Sequence, residues 1–315
     1  MRKLVYLSLI VVLCLVSCSA PVFNPFQFTS NPFLVKTVIS DEVIASSDTV
    51  SFTVTTDNHF DRDNSSWFNE NYYAFLENKM KSGNGYPFAI TLGDLTDTGV
   101  FVENALSFAE KVKSFTTEKF FTACVGNHDR HTQSFKWDSG DEMFTSAGCY
   151  YYGTTSDGKP LLAIYKMDNS YDCITDQQFE YLEEALKKET AVYRMIIIHE
   201  NVTTGSSLNP TLVIFGLSSS EANRLYRIMS ENGVGLILSG HNHCGNIEYH
   251  LSDTLGELNL AAYHRKNGTI LDMESEGWWY DLTLSVSDGS VTITGYKAEK
   301  SEAAKTYSFR LPENR

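Results

Sequence analysis

The chain has 315 residues, 42% of them hydrophobic, 13% aromatic and 20% charged, enough apolar material to bury a sizeable core. Only seven prolines and twenty glycines exclude collagenous, low-complexity and wholly disordered architectures. Twenty-five basic against 39 acidic residues give a formal charge of −14. Such a surface repels phosphate backbones and argues against a nucleic-acid polymer as partner.

The first residues read as an address. Met1-Arg2-Lys3 is a positive start, and Leu4 to Ser17 is an uncharged, largely apolar run of fourteen. That is shorter than the ~20 residues of a spanning helix and matches a secretory signal. It ends in Leu15-Val16-Ser17-Cys18, which resembles a bacterial lipobox. The resemblance implies cleavage before Cys18 and a lipid on its thiol. A plain signal peptide is the competing reading. The expectation is thus a lipoprotein signal peptide over 1–17 and an exported protein, periplasmic or surface, anchored to a membrane of the bacterial cell envelope through Cys18. Removing 1–17 takes away two of the 25 basic residues and moves the charge from −14 to −16. Residues 18–47, with Pro21, Pro25 and Pro32, read as a tether that carries a first strand near Phe33 to Ile44. One domain then spans 48–315.

In chain order, Val50 to Thr56, Pro87 to Leu92, Lys119 to Val125, Tyr193 to Ile198 and Gly233 to Leu238 are short apolar or β-branched runs ending in polar clusters. They read as buried strands. Helices are expected over about Trp67–Met80, Phe101–Phe115, Thr175–Lys188 and Ser219–Ser230, the last opened by the capping box Ser218-Ser219-Ser220-Glu221. Ser156-Asp157-Gly158 and Ser287-Asp288-Gly289 signal two hairpins. The fold class is therefore α/β with antiparallel additions. Cys124, Cys149, Cys173 and Cys244 allow three disulfide connectivities among which the sequence does not choose, and buried free thiols are the alternative, since Cys124 and Cys244 lie close to motifs.

The loop after each strand carries the chemistry. The first strand runs into Asp57-Asn58-His59, the second into Gly93-Asp94-Leu95-Thr96-Asp97, and the third into Gly126-Asn127-His128-Asp129. The fourth ends at His199-Glu200 and the fifth at Gly240-His241-Asn242-His243. Each block alone reads as a turn or cap. Ligands of open α/β sheets gather at the carboxyl ends of strands, so the five loops are expected to converge. Five of the eight histidines fall in them; His131, His250 and His264 are assigned no role.

The ordered set resembles the calcineurin-like metallophosphoesterase superfamily over about Val50 to His243. That resemblance implies a four-layer αββα sandwich of two mixed sheets in one domain. It also implies that Asp57, His59 and His243 hold one divalent ion, that Asn127, His199 and His241 hold another, and that Asp94 bridges them. Carboxylate, imidazole and amide donors suit Mn, Fe, Zn or Co. Two such ions about 3.5–4 Å apart can share a bridging hydroxide for in-line attack on a small phosphate ester, monoester or diester. Two dications and two aspartates leave a local +2 inside an acidic surface that is screened beyond about 8 Å. His128 is implied to protonate the leaving oxygen or stabilise the phosphoryl group, with Asp97 orienting it. Asp129 reads as a tie for its own loop, and Asn58 either faces substrate or shapes its turn.

Departures from relatives narrow the class. Thr98 stands where protein phosphatases of the superfamily carry Arg, and Asp97 where purple acid phosphatases carry a metal-binding Tyr. What remains resembles small bacterial phosphoesterases. Tyr150, Tyr151, Tyr152, Trp278 and Trp279 are either a stacking surface or core, and Glu200 to Leu217 reads as a specificity loop. The competing functional class is a non-catalytic surface lipoprotein using the fold to bind a ligand or partner. Against it, no ligand of the set is missing.

Overall fold

The computed structural model describes residues 28–60, 66–97, 102–129, 145–202, 216–243, 246–263 and 277–314. The expected signal peptide over 1–17, Cys18, Thr98, His131, Cys244, His264 and most of the stretch from Glu200 to Leu217 lie outside the described residues.

Two sheets carry the chain. One joins β2 (Thr49–Thr55), β3 (Phe88–Thr91) and β4 (Phe120–Ala123) in parallel and extends antiparallel through β11 (Trp278–Ser285), β12 (Ser290–Lys297) and β13 (Glu302–Arg310), in the order β13-β12-β11-β2-β3-β4. The other takes β1 (Lys36–Val43), β5 (Gly148–Thr154), β6 (Pro160–Lys166), β7 (Tyr193–Ile197), β8 (Leu236–Ser239), β9 (Ile247–Ser252) and β10 (Leu255–Asn259), in the order β1-β5-β6-β7-β8-β10-β9. Both sheets are mixed.

Strands that read as unbroken apolar runs divide their side chains by the two-residue period of the pleat. Phe52 and Val54, Phe88 and Ile90, Met195 and Ile197, and Leu236 and Leu238 meet between the sheets. Ile196 and Ile237 turn outward to Phe179, Leu182, Leu225 and Ile228 of α3 (Asp176–Lys187) and α4 (Ser219–Glu231). Ala89, Phe121 and Trp279 turn outward to Tyr72, Leu76, Phe108 and Val112 of α1 (Ser66–Lys81) and α2 (Val102–Ser114). The result is the αββα sandwich. The capping box of α4 forms in both directions, Ser218 Oγ accepting from Glu221 N–H and the Glu221 carboxylate from Ser218 N–H.

Three readings need correction or completion. Within the 18–47 stretch, the strand expected near Phe33 to Ile44 is present as β1. Phe33 is buried against Tyr165, and β1 pairs with β5 in parallel, so the folded body starts well before residue 48. Tyr150, Tyr151, Tyr152 and Trp279 are buried in the three cores, and Trp278 packs against the central one. They serve packing, and no stacking surface is left among them. Cys124, Cys149 and Cys173 are free thiols, the first two buried.

Candidate metal centre

The loops after β2, β3 and β4 of one sheet and after β7 and β8 of the other open on a common edge. They bring together Asp57, His59, Asp94, Asp97, Asn127, His128, His199, His241 and His243. Asp57, His59, Asp94 and His243 present ligand atoms within 4.8 Å of one another, as do Asp94, His199 and His241. Asp94 belongs to both groups.

The backbone bends sharply to achieve this. Asp57, His59, Asp94, His241 and His243 all sit in the left-handed region, with φ between 47° and 73°. Asp, Asn and His enter this region most readily among non-glycine residues, at a cost of order 1–3 kcal/mol each that the surroundings must hold in place. Two glycines permit the crowding. A Cβ on Gly93, at φ 106°, would stand 2.7 Å from His199 Nδ1, and one on Gly126 would stand 2.0 Å from Asp94 Oδ1.

Second contacts fix which atom of each ligand faces inward. His199 Nδ1 donates to the Leu92 carbonyl at 2.8 Å, which leaves Nε2 3.1 Å from Asn127 Oδ1 and 3.3 Å from Asp94 Oδ2. His241 brings Nδ1 to 3.0 Å from the same Asn127 oxygen. Two imidazole nitrogens, an amide oxygen and a carboxylate oxygen thus converge on one side. On the other, His243 Nε2 lies 2.9 Å from His59 Nε2 and 3.1 Å from Asp57 Oδ1. The Thr56 hydroxyl and the His241 N–H donate to Asp57 Oδ2 at 2.7 and 2.9 Å. Asp94 Oδ1 accepts from His128 N–H at 2.9 Å, so its Oδ2 is left between His199 Nε2 and His59 Nε2, the latter at 3.7 Å.

Asp97 divides its duties otherwise than the sequence suggested. Its main-chain carbonyl, not its carboxylate, meets His128 Nδ1, at 2.5 Å. The carboxylate lies 3.2 Å from His59 Nδ1 and 3.8 Å from His128 Nδ1. A carbonyl only accepts, so His128 Nδ1 carries a hydrogen in either charge state and Nε2 is the nitrogen that can hold or give a proton. Asp129 ties the loops together, accepting from Gly126 N–H at 3.0 Å, Leu95 N–H at 3.2 Å and Thr96 N–H at 2.9 Å. Asn58 is buried, with Oδ1 held by Thr91 Oγ1 at 2.9 Å, and so shapes the turn.

Charge in the metal-free site is distributed by burial and by these contacts. Burial is the largest influence on Asp94 and opposes its charge, but the charge and hydrogen bond of His199, with His59 and His128, together hold the carboxyl well below the usual range. Burial is the largest influence on Asp57 too and opposes its ionisation, while the charge and hydrogen bond of His243, with His199 behind them, together keep it low. His199 gains in return: burial lowers it, yet the Asp94 carboxylate lifts it to about 10. Burial, then the His199 charge, pushes His241 down to about 4. His59 is lowered chiefly by burial, against its Asp97 contact. Burial, with Asp94 behind it, raises Asp129 to about 7. At pH 7 one proton therefore sits on His199, where a metal ion would bind. We expect metal loading at pH 7 to release about one proton from His199 and a fraction more from Asp129 once Asp94 is neutralised, with apparent affinity rising between pH 6 and 8. Calorimetry in buffers of differing ionisation enthalpy reads this number, and a count near zero would refute it.

The donor set, two imidazoles and an amide facing one way, two imidazoles and a carboxylate the other, and a shared carboxylate between, suits borderline divalent ions. Comparisons with known proteins agree with the fold. The family model for calcineurin-like phosphoesterases matches residues 50–245. No curated protein matches the chain. Among solved structures, the chain is similar to GAP50, described as the anchor in the inner membrane complex of Plasmodium, at TM-score 0.59 and 16% identity over 85% of this chain and 90% of that one. It is also similar to the purple acid phosphatase PPD1 of yellow lupin (Lupinus luteus), at TM-score 0.60 and 8% identity over 84% of this chain and 54% of that one. PhoD follows at TM-score 0.55 and 10% identity, over 84% and 70%. At these identities the structures speak for the fold, and the family match, which spans more than half the chain, adds the lineage: the chain belongs to the calcineurin-like phosphoesterases.

Proposed function

We propose that the protein hydrolyses a small phosphate ester at a dinuclear metal centre, with His128 as the proton donor. One observation carries this reading: Asp94 Oδ2 lies between two inward-facing ligand groups, one built from Asp57, His59 and His243 and the other from Asn127, His199 and His241. Two divalent ions held there would polarise a phosphoryl oxygen and lower the pKa of water.

The chain's own residues supply the rest. The Leu92 carbonyl and the Asp97 carboxylate fix the rings of His199 and His59, presenting Nε2 inward. The turns at φ above 45° hold the ligands before any substrate arrives, so little reorganisation is left for the reaction. The His128 ring packs edge-on against His59, with centroids 4.7 Å apart, and its side chain is 35% exposed at the mouth of the site. With Nδ1–H pinned to the Asp97 carbonyl, Nε2 gives its proton to the departing oxygen as the P–O bond breaks.

The direct test is hydrolysis of an aryl phosphomonoester and an aryl phosphodiester with added Mn²⁺. We expect at least one to be cleaved, and which of the two is faster assigns the ester class. Cleavage of neither would overturn the proposal in favour of a binding protein.

We also propose that the chain is exported and lipid-anchored through Cys18. The supports are the charged start, the apolar run of fourteen and Leu15-Val16-Ser17-Cys18. Among the described residues no helix is long and apolar enough to cross a membrane. Cys18→Ser should move the protein from the membrane to the soluble fraction. Its retention with membranes would count against the anchor.

A further inference from the structure

Behind the ligand loops stands a strand that carries none of the five motifs. β10 runs beside β8 in parallel, with Asn259 in register with Ser239. Asn259 is buried, and both polar atoms of its side chain are taken up by the turn that carries His241 and His243. Its Nδ2 donates to the Gly240 carbonyl and, at 3.1 Å, to Ser239 Oγ. Its Oδ1 accepts from Asn242 Nδ2 at 3.3 Å. A carbonyl only accepts, so Gly240 dictates which way the amide faces. Glu257, two residues earlier and on the same face of the strand, completes the backing. Its Oε1 accepts from Ser239 Oγ at 2.9 Å and from Val202 N–H, in the loop beyond His199, at 2.8 Å.

The Gly240 peptide is where the ligand segments meet. Its N–H donates to the His199 carbonyl at 2.7 Å, and its carbonyl takes the Asn259 amide. A Cβ on Gly240 would stand 1.9 Å from Thr56 Oγ1 and 2.7 Å from Asp57 Oδ2, so this backbone is pressed against a third ligand. From here the chain sends His241 to one ligand group and His243 to the other, both in the left-handed region at φ 73° and 56°. Such torsions persist only where the surroundings hold them. Asn259 grips the turn twice, at Gly240 just before His241 and at Asn242 just before His243.

We propose that Asn259 is a positioning residue for both metal ions, setting the Gly240–Asn242 turn so that His241 and His243 reach opposite ligand groups. It is not itself a ligand, and the inference rests on the dinuclear reading above. Without the amide, the turn can relax from its left-handed torsions and misplace the two histidines together. The signature is a joint loss. Removal of a single ligand would instead weaken chiefly the ion it holds.

The test is titration of the full protein with Mn²⁺ by calorimetry, with folding checked by circular dichroism. We expect Asn259→Ala to raise the Kd of both ions by about 10–100-fold, the usual cost of losing a partner behind a metal ligand. Asn242→Ala, at a half-buried position, should raise both by a smaller factor, and it decides the matter if Asn259→Ala does not fold. Leu225→Ala, which opens a cavity in the core under α4, should lower Tm and leave both Kd values unchanged, separating positioning from general loss of stability. The proposal falls if folded Asn259→Ala binds both ions as wild type does, if only one ion is weakened, or if Leu225→Ala weakens them equally. With Asn259→Ala unfolded, wild-type affinities in Asn242→Ala overturn it. Failure of wild type to bind two Mn²⁺ ions would sink the dinuclear reading and this inference with it, whereas two ions in wild type and two in Asn259→Ala at unchanged affinity would sink this inference alone.

Discussion

Asp94→Asn is expected to lower kcat/KM by about 10³-fold, equivalent to about 4 kcal/mol of barrier, and to reduce the bound metal below two ions per chain. Groups that merely orient a histidine ligand are worth 10–100-fold in affinity or activity, and Asp94 does more than orient. Among the described residues, its Oδ2 is the one carboxylate oxygen within 4 Å of ring nitrogens from both ligand groups, His59 and His199. An amide keeps the shape but loses the charge, so the site would hold two dications with one carboxylate instead of two. The metal-free protein should behave differently. There Asp94 repels Asp129 and adds to the carboxylate charge around Asp57, so the substitution removes repulsion along with the His199 partnership. The measurement is therefore paired: metal content by elemental analysis, and Tm with and without chelator. We expect the wild type to lose stability on chelation and the variant to lose little, having little metal to lose. A variant that retained two ions and near-wild-type activity would show that Asp94 does not bridge.

The parts of this molecule that the sequence exposes are those where one residue type can do one job. A short apolar or β-branched strand followed by Asp-Asn-His or Gly-Asn-His-Asp announces both the strand and the site at its end, because the carboxylate, amide and imidazole ligands come only after the strand stops. Hence β2, β3, β4, β7 and β8 fall within three residues of their expected bounds. The β9–β10 hairpin and β13 give no such signal. All six residues of β9 are exposed, and β13 buries only Tyr307 and Phe309, so neither shows a hydrophobic alternation to read. β1 is expected near Phe33 to Ile44, but with Val38 and Val43 exposed on an edge strand its bounds and its pairing with β5 are not readable. Within the site the limit is different. That Asp97 serves His128 through its carbonyl and His59 through its carboxylate depends on the left-handed turns at His59 and Asp94, and a motif records residue types but not torsions. Glu200 shows no signal at all: a glutamate after an apolar run reads as the first residue of a loop, and only the fold reveals it as buried.

His128→Ala should leave two ions bound and still cut hydrolysis by 10²–10⁴-fold, the usual range for one positioned acid. Metal binding is spared because the hydrogen bond from His128 to a ligand comes from its backbone N–H, on Asp94 Oδ1, which alanine keeps, while its ring only packs edge-on against His59. The size of the loss should depend on the leaving group, which separates proton donation from mere packing against His59. An aryl ester with an acidic phenol departs as an anion and needs little help, so the deficit should sit near the bottom of the range. An alkyl ester departs as a strongly basic alkoxide unless protonated, so its deficit should be larger by at least about tenfold. Asp97→Ala offers the contrast. It removes the carboxylate that faces His59 but keeps the carbonyl that holds His128 Nδ1. Its cost should appear as weaker metal affinity, about 10–100-fold, with the same penalty for both esters once metal is saturating. If His128→Ala slowed aryl and alkyl esters equally, the ring would be acting on the phosphoryl group rather than on the leaving oxygen. If Asp97→Ala reproduced the leaving-group dependence instead, the carboxylate would be the partner of His128 after all.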